Sequence, residues 1–350
     1  MTLARAARAV LLAGLAVAVA GMAAGCLGGG NSSSATVTVT TTATATGGSS
    51  GGSADSLQRE FVRVVGDVSP SVVQIETPQG LGSGVVYDGK GDIVTNAHVV
   101  GTAKNVRVTL SNGSRHPATV VGTFPPNDVA VVHVENATPP AATFREQTPI
   151  AVGDIVLAIG NPLGLRSSVT QGIVSSLGRT VSEGNGVALP SVIQTSAAIN
   201  PGNSGGALVD LRSEVIGIPT LAALDPEFGS TPAAGIGFAI PSGTVRRIAD
   251  QLIATGKVTA SGRALLGVQV ATLVNGGVLV ESVQPGGPAA DAGMKQGDLI
   301  VAVNGTPVQS TDDLATVLVQ IKPGATIPVK VDRHGNTMTL HVKVGELQSP

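Results

Sequence analysis

A single cysteine, no tryptophan, one tyrosine and five phenylalanines among 350 residues set the first limits on this chain. Cys26 has no partner for an internal disulfide and cannot build a multi-cysteine metal site. Aromatic platforms on which bases or sugar rings stack are scarce. Charge of either sign is scarce too: 21 lysines and arginines against 23 aspartates and glutamates leave a formal net charge of −2. Such a balance gives no sequence-independent grip on a phosphate backbone, so no nucleic-acid partner is expected. Long apolar runs are missing except at the N-terminus. What the chain does have is bulk: 42% apolar residues and enough length for two or three domains with sizeable cores.

The N-terminal run extends from Ala9 to Gly25 behind Arg5 and Arg8, the charge-then-apolar plan of an export signal. It ends in Ala23-Ala24-Gly25-Cys26, which resembles the lipobox of bacterial lipoproteins, where the cysteine is lipidated and becomes the first residue. Residues 1–26 are therefore expected to be a lipoprotein-type leader with Cys26 as the lipidation site. Ala23 stands where lipoboxes usually carry leucine, which leaves an uncleaved signal anchor or an ordinary cleaved signal as alternatives. Residues 27–54 are rich in Gly, Ser and Thr and lack the bulk to offset the entropy of ordering, so they read as a flexible tether. As a random coil it reaches on the order of 30 Å.

Beyond the tether, Leu57, Phe61, Val64, Val65 and Val68 recur at helical spacing up to the stop at Ser69-Pro70. Short β-type segments follow, each bounded by turn residues such as Asp88-Gly89, Asn112-Gly113 and Pro125-Pro126. Strands at this density without intervening helices indicate a β-barrel or sandwich. A helix opening at Pro241-Ser242 and ending at Gly256, with Val245, Ile248, Leu252 and Ile253 on one face, closes a first domain over residues 55–258. From residue 262 to 347 the pattern restarts as a smaller α+β unit of mixed strands and two helices.

The chemistry is sought first among the five histidines, because a general base near neutral pH is most often one of them. His116 adjoins a turn proline, His133 lies inside a strand, and His334 and His341 belong to the second unit. His98, in Val94-Thr95-Asn96-Ala97-His98-Val99-Val100, is placed at the end of an apolar strand where an imidazole can face a cleft. Ser204 lies in Asn200-Pro201-Gly202-Asn203-Ser204-Gly205-Gly206, a glycine-rich turn that exposes a hydroxyl and aims backbone N–H groups at a developing oxyanion. The acid that orients the histidine is expected to be Asp128, which opens a strand between the two; Asp154 competes, and reads better as a turn residue. Gly84 to Gly91 nearly spells a phosphate-binding loop but lacks the Ser or Thr for magnesium and any following helix, so it reads as a hairpin turn. The histidines are too dispersed to predict a metal site, and no cofactor is implied.

The order His, Asp, Ser in these motifs resembles the trypsin-like double β-barrel proteases, and among them the HtrA/Deg family of bacterial envelope proteases. The likeness rests on Gly82-Ser83-Gly84-Val85, Thr95 to Val100, Asn127 to Val131, Ala158 to Pro162, Ala197 to Gly206 and Gly235 to Pro241. Ser196 and Ala207 depart from it, standing where this family commonly has Asp and Pro. The resemblance implies a mainly β chain, with a double β-barrel trypsin-like protease domain followed by a smaller α+β PDZ domain. It implies a triad of His98, Asp128 and Ser204, with the N–H groups of Gly202 and Ser204 as oxyanion hole once the Gly202-Asn203 peptide faces inward. By homologous position Ala198 forms the base of the S1 pocket and Ile236 its wall, which favours small aliphatic P1 residues. In the second unit Leu265, Leu266, Gly267 and Val268 correspond to a PDZ carboxylate-binding loop for peptide C-termini. Leu314 and Leu318, four residues apart on a helix, fit either the side-chain pocket or the core. The resemblance further implies unfolded polypeptides as substrates, a location in the bacterial cell envelope, and a homotrimer with a contact near Phe61. Two functions stay open at this point: an envelope serine endopeptidase, and a peptide-binding sensor or chaperone-like scaffold whose protease fold is mainly latent.

Overall fold

The computed structural model describes residues 51–349 except 138, 147–148, 162–167, 185–186, 201, 226–230 and 275. The leader, Cys26 and most of the tether lie outside the described residues. Helix α1 (Gly51–Val68) begins four residues inside the stretch read as tether. Leu57 is exposed, and the docked face runs from Phe61 to Val68; once it is docked, each residue added at the helix start gains a hydrogen bond for one more fixed φ/ψ pair, so the helix extends backwards over residues 51–54. Val64 and Val68 are the docked positions, and a 3₁₀ turn at Ser69–Ser71 with its proline ends the helix as expected.

Six strands then close into a barrel: β1 (Val72–Thr77), β2 (Gly80–Val86), β3 (Asp92–Thr95), β4 (Asn105–Thr109), β5 (Arg115–Phe124) and β6 (Val129–Val134), in the spatial order β1-β2-β3-β6-β5-β4. A one-turn helix α2 (Ala97–Val100) follows β3. The would-be phosphate loop is the β2–β3 turn, where Asp88 Oδ1 accepts the Lys90 N–H at 2.9 Å. Alternation explains the unbroken apolar run of β6. Ala130, Val132 and Val134 join the cluster inside this barrel, while Val129 and Val131 face the other way into a core shared with the second barrel.

The second barrel comprises β8 (Ile155–Gly160), β9 (Ser168–Gly184), β10 (Val187–Thr195), β11 (Ala207–Asp210), β12 (Glu214–Asp225) and β13 (Thr231–Pro241); β11–β12 pairing closes the ring, and β7 (Thr143–Phe144) adds to β12 in parallel. The same two-sidedness recurs in β8, whose Val156 and Ala158 fill this barrel while Leu157 and Ile159 enter the shared core. Helix α3 (Ser242–Thr255) lays Val245, Ile248, Ala249 and Leu252 into that core and ends at Gly256 in the left-handed region. Gly122 in β5 makes room for it: a Cβ there would lie 2.9 Å from Leu252 Cδ2 and 3.0 Å from the Gly256 carbonyl.

The smaller fold has a five-stranded antiparallel path, with β14 (Ala264–Leu265) paired to the last strand and β15 (Val268–Thr272), β16 (Val278–Val283), β17 (Leu299–Val303), β18 (Thr306–Pro307), β19 (Thr326–Arg333), β20 (Asn336–Lys343) and β21 (Gly345–Glu346) completing it. Helices α4 (Pro288–Asp291) and α5 (Thr311–Leu318) cover its core. A capping box starts α5: Ser310 Oγ accepts from the Asp313 N–H, and the Asp313 carboxylate accepts from the Ser310 N–H, each at 3.1 Å. Buried Asp298 is held by a two-point ion pair with Arg333, at 2.6 and 2.7 Å. Burial pushes its carboxyl up, but the Arg333 bonds, the Lys295 backbone N–H and the charges of both residues together outweigh this and leave it below the usual carboxylate range. Both barrels and this fold belong to one compact unit, Ser50–Pro350.

Candidate active site

The three expected residues converge where the barrels meet, each on a different kind of backbone feature. His98 sits on α2, not at the end of a strand. Asn96 precedes that helical turn in extended conformation but does not cap it with its side chain; its Nδ2 donates to the Asp128 carbonyl at 3.1 Å. Asp128 follows a 3₁₀ turn, Pro125–Asn127, and adopts the left-handed conformation (φ 50°, ψ 43°) with its N–H on the Pro125 carbonyl at 2.9 Å. Its carboxylate is 3% exposed. Oδ1 accepts the backbone N–H of His98 at 3.0 Å, and Oδ2 lies 2.8 Å from His98 Nδ1. With Nδ1 on the carboxylate, Nε2 is the ring nitrogen turned away from Asp128. Asp154 is indeed a turn residue, its Oδ2 accepting the Ala151 N–H at 2.9 Å.

Thr220, at the centre of β12, is a member of the site that carried no signal in the sequence. Its Oγ1 donates to Asp128 Oδ2 at 2.5 Å, and its carbonyl accepts from Ser204 Oγ at 3.2 Å. One residue of the second barrel thus ties Asp128 of the first to Ser204 of the second. Ser83 on β2 makes a second bridge. Its N–H donates to the Ser204 carbonyl at 3.0 Å, and its fully buried hydroxyl donates to the Gly202 carbonyl at 2.5 Å while accepting the Asn161 N–H at 2.8 Å. Gly205 tolerates no side chain beneath this bridge, since a Cβ would fall 2.2 Å from the Ser83 carbonyl and φ is 79°.

Along the nucleophile loop the N–H groups of Asn203, Gly205 and Gly206 bond the carbonyls of Asn200, Pro219 and Asn203. Those of Gly202 and Ser204 alternate with them. The peptide that carries the Gly202 N–H is Pro201–Gly202, so the requirement placed on the Gly202-Asn203 peptide is corrected here: that carbonyl is held by Ser83. Residue 201 lies outside the described residues. Asn203 braces the loop from within, its Nδ2 on the Ala198 carbonyl and its Oδ1 on the Asn200 N–H, both at 3.0 Å.

Ala198 is exposed, and Ile236 is exposed on β13. Gly237 lets their segments approach: a Cβ there would lie 2.3 Å from Ile199 Cγ1 and 3.2 Å from the Ala197 carbonyl. Ser196 pairs its backbone and hydroxyl with Ile173 of β9, and Ala207 is buried in β11, so neither departure from the family pattern touches the triad. In the smaller fold, Leu265, Leu266, Gly267, Val268, Leu314 and Leu318 all line one cavity of about 200 Å³ between β15 and α5. Leu314 serves both alternatives, lining the cavity while packed in the core at 4% exposure. Arg263 and Leu347 line it as well, and neither was singled out in the sequence.

Residues 82–218 match the trypsin-like peptidase domain and residues 264–344 match the PDZ domain. The chain is 40% identical over 304 residues to the serine endoprotease DegS of Escherichia coli, covering 84% of each. The chain belongs to the HtrA/Deg family. It is also 40% identical over 315 residues to the serine protease PepD of Mycobacterium tuberculosis, covering 82% of this chain and 66% of that one. Against the DegP-like endoprotease of Chlamydia trachomatis it spans about half the relative's length, 54%. Among solved structures, the HtrA-type protease AlgW with a decapeptide covers 83% of this chain at 30% identity and a TM-score of 0.58. A serine endoprotease from Yersinia pestis covers 82% at 36% identity and a TM-score of 0.58. The architecture is therefore mainly β, a trypsin-like double barrel followed by a PDZ domain.

Proposed function

We propose that this chain is a serine endopeptidase of the cell envelope that cuts unfolded or damaged polypeptides. The observation that carries the reading is the shared carboxylate, on which His98 Nδ1 and Thr220 Oγ1 meet at the same Asp128 oxygen. Asp128 fixes the tautomer in which Nε2 is the base. Ser204 Oγ attacks the scissile carbonyl as its proton passes to His98, Asp128 stabilises the imidazolium, and His98 returns the proton to the leaving amine. The N–H groups of Gly202 and Ser204 stabilise the oxyanion. Ala198 and Ile236 bring no carboxylate to S1, so small aliphatic P1 residues such as Val, Ala or Ile are preferred.

The protease domain in this reading spans residues 55–258 and the PDZ domain 262–347, whose cavity takes the C-terminus of a hydrophobic peptide while the peptide adds a strand beside β15. Lipidated Cys26 holds the assembly, a homotrimer, at the membrane. The word "periplasmic" in the names of relatives such as DegQ of Escherichia coli supports the envelope location. One observation favours the second reading, a latent sensor: the Ser204 hydroxyl donates to the Thr220 carbonyl. Incubation of the purified chain and of Ser204→Ala with an unfolded, disulfide-free protein decides between them. Cleavage by the wild type alone, at aliphatic P1 sites, is the expected result. No cleavage by either, with hydrophobic C-terminal peptides added, selects the sensor.

A further inference from the structure

An oxyanion hole needs its N–H groups held at a fixed angle to one another. Here the peptide that links the two donors, Gly202–Asn203, lies in a chain with wide conformational freedom. Gly202 has φ 110°, in a region open to glycine, and Gly205 and Gly206 follow close behind. A hydrogen bond at each end fixes that peptide. The Asn203 N–H donates to the Asn200 carbonyl at 3.1 Å, and the Gly202 carbonyl accepts from the Ser83 hydroxyl at 2.5 Å. The first bond lies within the loop and moves with it. The second comes from β2 of the other barrel, 119 residues away.

The surroundings leave the Ser83 hydroxyl a single direction in which to donate. The Asn161 N–H donates to its oxygen at 2.8 Å, so its one proton goes to the Gly202 carbonyl, which can only accept. This relay from N–H through hydroxyl to carbonyl has a fixed polarity, and each bond strengthens the next in a residue with no exposed surface. The Ser83 backbone is held independently. Its N–H donates to the Ser204 carbonyl at 3.0 Å, and its carbonyl accepts from Thr95 Oγ1 at 2.7 Å. The hydroxyl can therefore be removed without breaking either bond. Gly160 packs bare backbone under the same loop, since a Cβ there would lie 2.5 Å from Asn203 Cα and 2.9 Å from the Gly202 oxygen. Among the described contacts, Ser83 supplies the side-chain donor that reaches that oxygen.

We infer that Ser83 is a positioning residue for the oxyanion hole, its hydroxyl orienting the Gly202–Asn203 peptide and through it the flanking N–H groups of Gly202 and Ser204. The inference rests on the protease reading. Without the hydroxyl a buried carbonyl loses its donor, and the peptide turns to regain one. The two N–H groups then miss the place where the oxyanion develops, which costs transition-state stabilisation and leaves ground-state binding intact. Outright removal of one oxyanion donor costs about 10²–10³ in kcat, which bounds the effect of misalignment from above.

The test uses the full chain with Ser83→Ala, which removes the hydroxyl, and Ser83→Cys, which keeps a weak donor at the same place. The Cys variant carries the comparison alone if the Ala variant does not fold. Turnover of a short peptide with an aliphatic P1 gives kcat and KM. Inhibition by the matching peptidyl trifluoromethyl ketone gives Ki: Ser204 Oγ adds to the ketone carbon, its proton passes to His98, and the ketone oxygen becomes an anion in the hole. Ser83→Ala is expected to lose about 30-fold in kcat with KM within about twofold, and its Ki is expected to rise by a similar factor. Ser83→Cys is expected to show about a fivefold change in the same two quantities. The midpoint of the pH dependence of kcat/KM is expected to stay in place, because no bond of Ser83 reaches His98 or Asp128 among the described contacts. Wild-type kcat in the variant, a loss carried by KM, a fall in kcat with Ki unchanged, or a displaced pH midpoint overturns the inference and leaves Ser83 as a structural bridge between the barrels. An inert wild type instead sinks the protease reading and takes this inference with it.

Discussion

The first barrel carries two histidine–aspartate pairs with the same separation. His98 Nδ1 to Asp128 Oδ2 and His133 Nδ1 to Asp92 Oδ1 both measure 2.8 Å. Burial does not separate them either, since the acids are 3% and 8% exposed and the histidines 48% and 35%. The difference lies in what else holds the acid. Asp92 and His133 are direct cross-strand partners in the β3–β6 ladder, a contact that strand register produces without further help. Asp128 lies outside the ladder, receives a second bond from the His98 backbone and a third from Thr220, and through Thr220 is joined to a serine between two positive-φ glycines. The two dyads differ in that the Asp128 carboxylate is held from several sides and is joined through Thr220 to a serine, whereas Asp92 is held by its ladder partner. Distance alone does not distinguish the two.

Asp128→Asn breaks the comparison most sharply. The amide keeps the shape of the carboxylate but favours the wrong imidazole tautomer and gives no charge to the imidazolium. Turnover of a peptide substrate is expected to fall about 10⁴-fold. A loss of less than tenfold would mean that Asp128 shapes the fold around α2 and does not serve the reaction.

Thr220→Val sharpens the same contrast from the other side. The substitution is close in shape and removes the one hydroxyl that bonds Asp128 Oδ2 from the second barrel. Loss of a hydrogen bond to a charged group costs about 1.5–3 kcal/mol where it acts. The expected reading is a fall of about tenfold or more in kcat with little change in KM; equal changes in the two would place Thr220 in substrate binding.

How much of this was legible in the sequence follows from the range over which each feature is encoded. That His98, Asp128 and Ser204 belong together was legible because each sits in a short motif, above all the glycine-rich turn around Ser204. The barrel strands could be found where one or both faces are buried, as in β6 and β8, since alternation writes burial into composition. The outer half of β9 could not. Ser175 to Gly184 has little apolar alternation, and its place as a strand comes from pairing with β10 and from the PDZ domain, where Gln320 Nε2 meets Thr180 Oγ1 at 2.6 Å. Thr220 was invisible for a related reason. A threonine in a β-strand is an ordinary residue, and the partner that brings it into the site lies 92 positions away. The helical turn under His98 was missed because it is four residues long and its N-cap side chain is used elsewhere.

Asp92→Asn gives the smallest expected effect and completes the comparison. The carboxylate is buried and faces His133 across the ladder, but the amide retains an oxygen at that position, so the cost is that of weakening one side-chain hydrogen bond, about 1 kcal/mol. In a protease domain of this size that lowers Tm by about 2–4 °C. Turnover should stay within about twofold of wild type, because Asp92 bonds neither α2 nor the 3₁₀ turn among the described contacts. If turnover fell with Tm held constant, the second pair would be coupled to the first through β6, and the claim that only the multiply held acid serves the reaction would be lost.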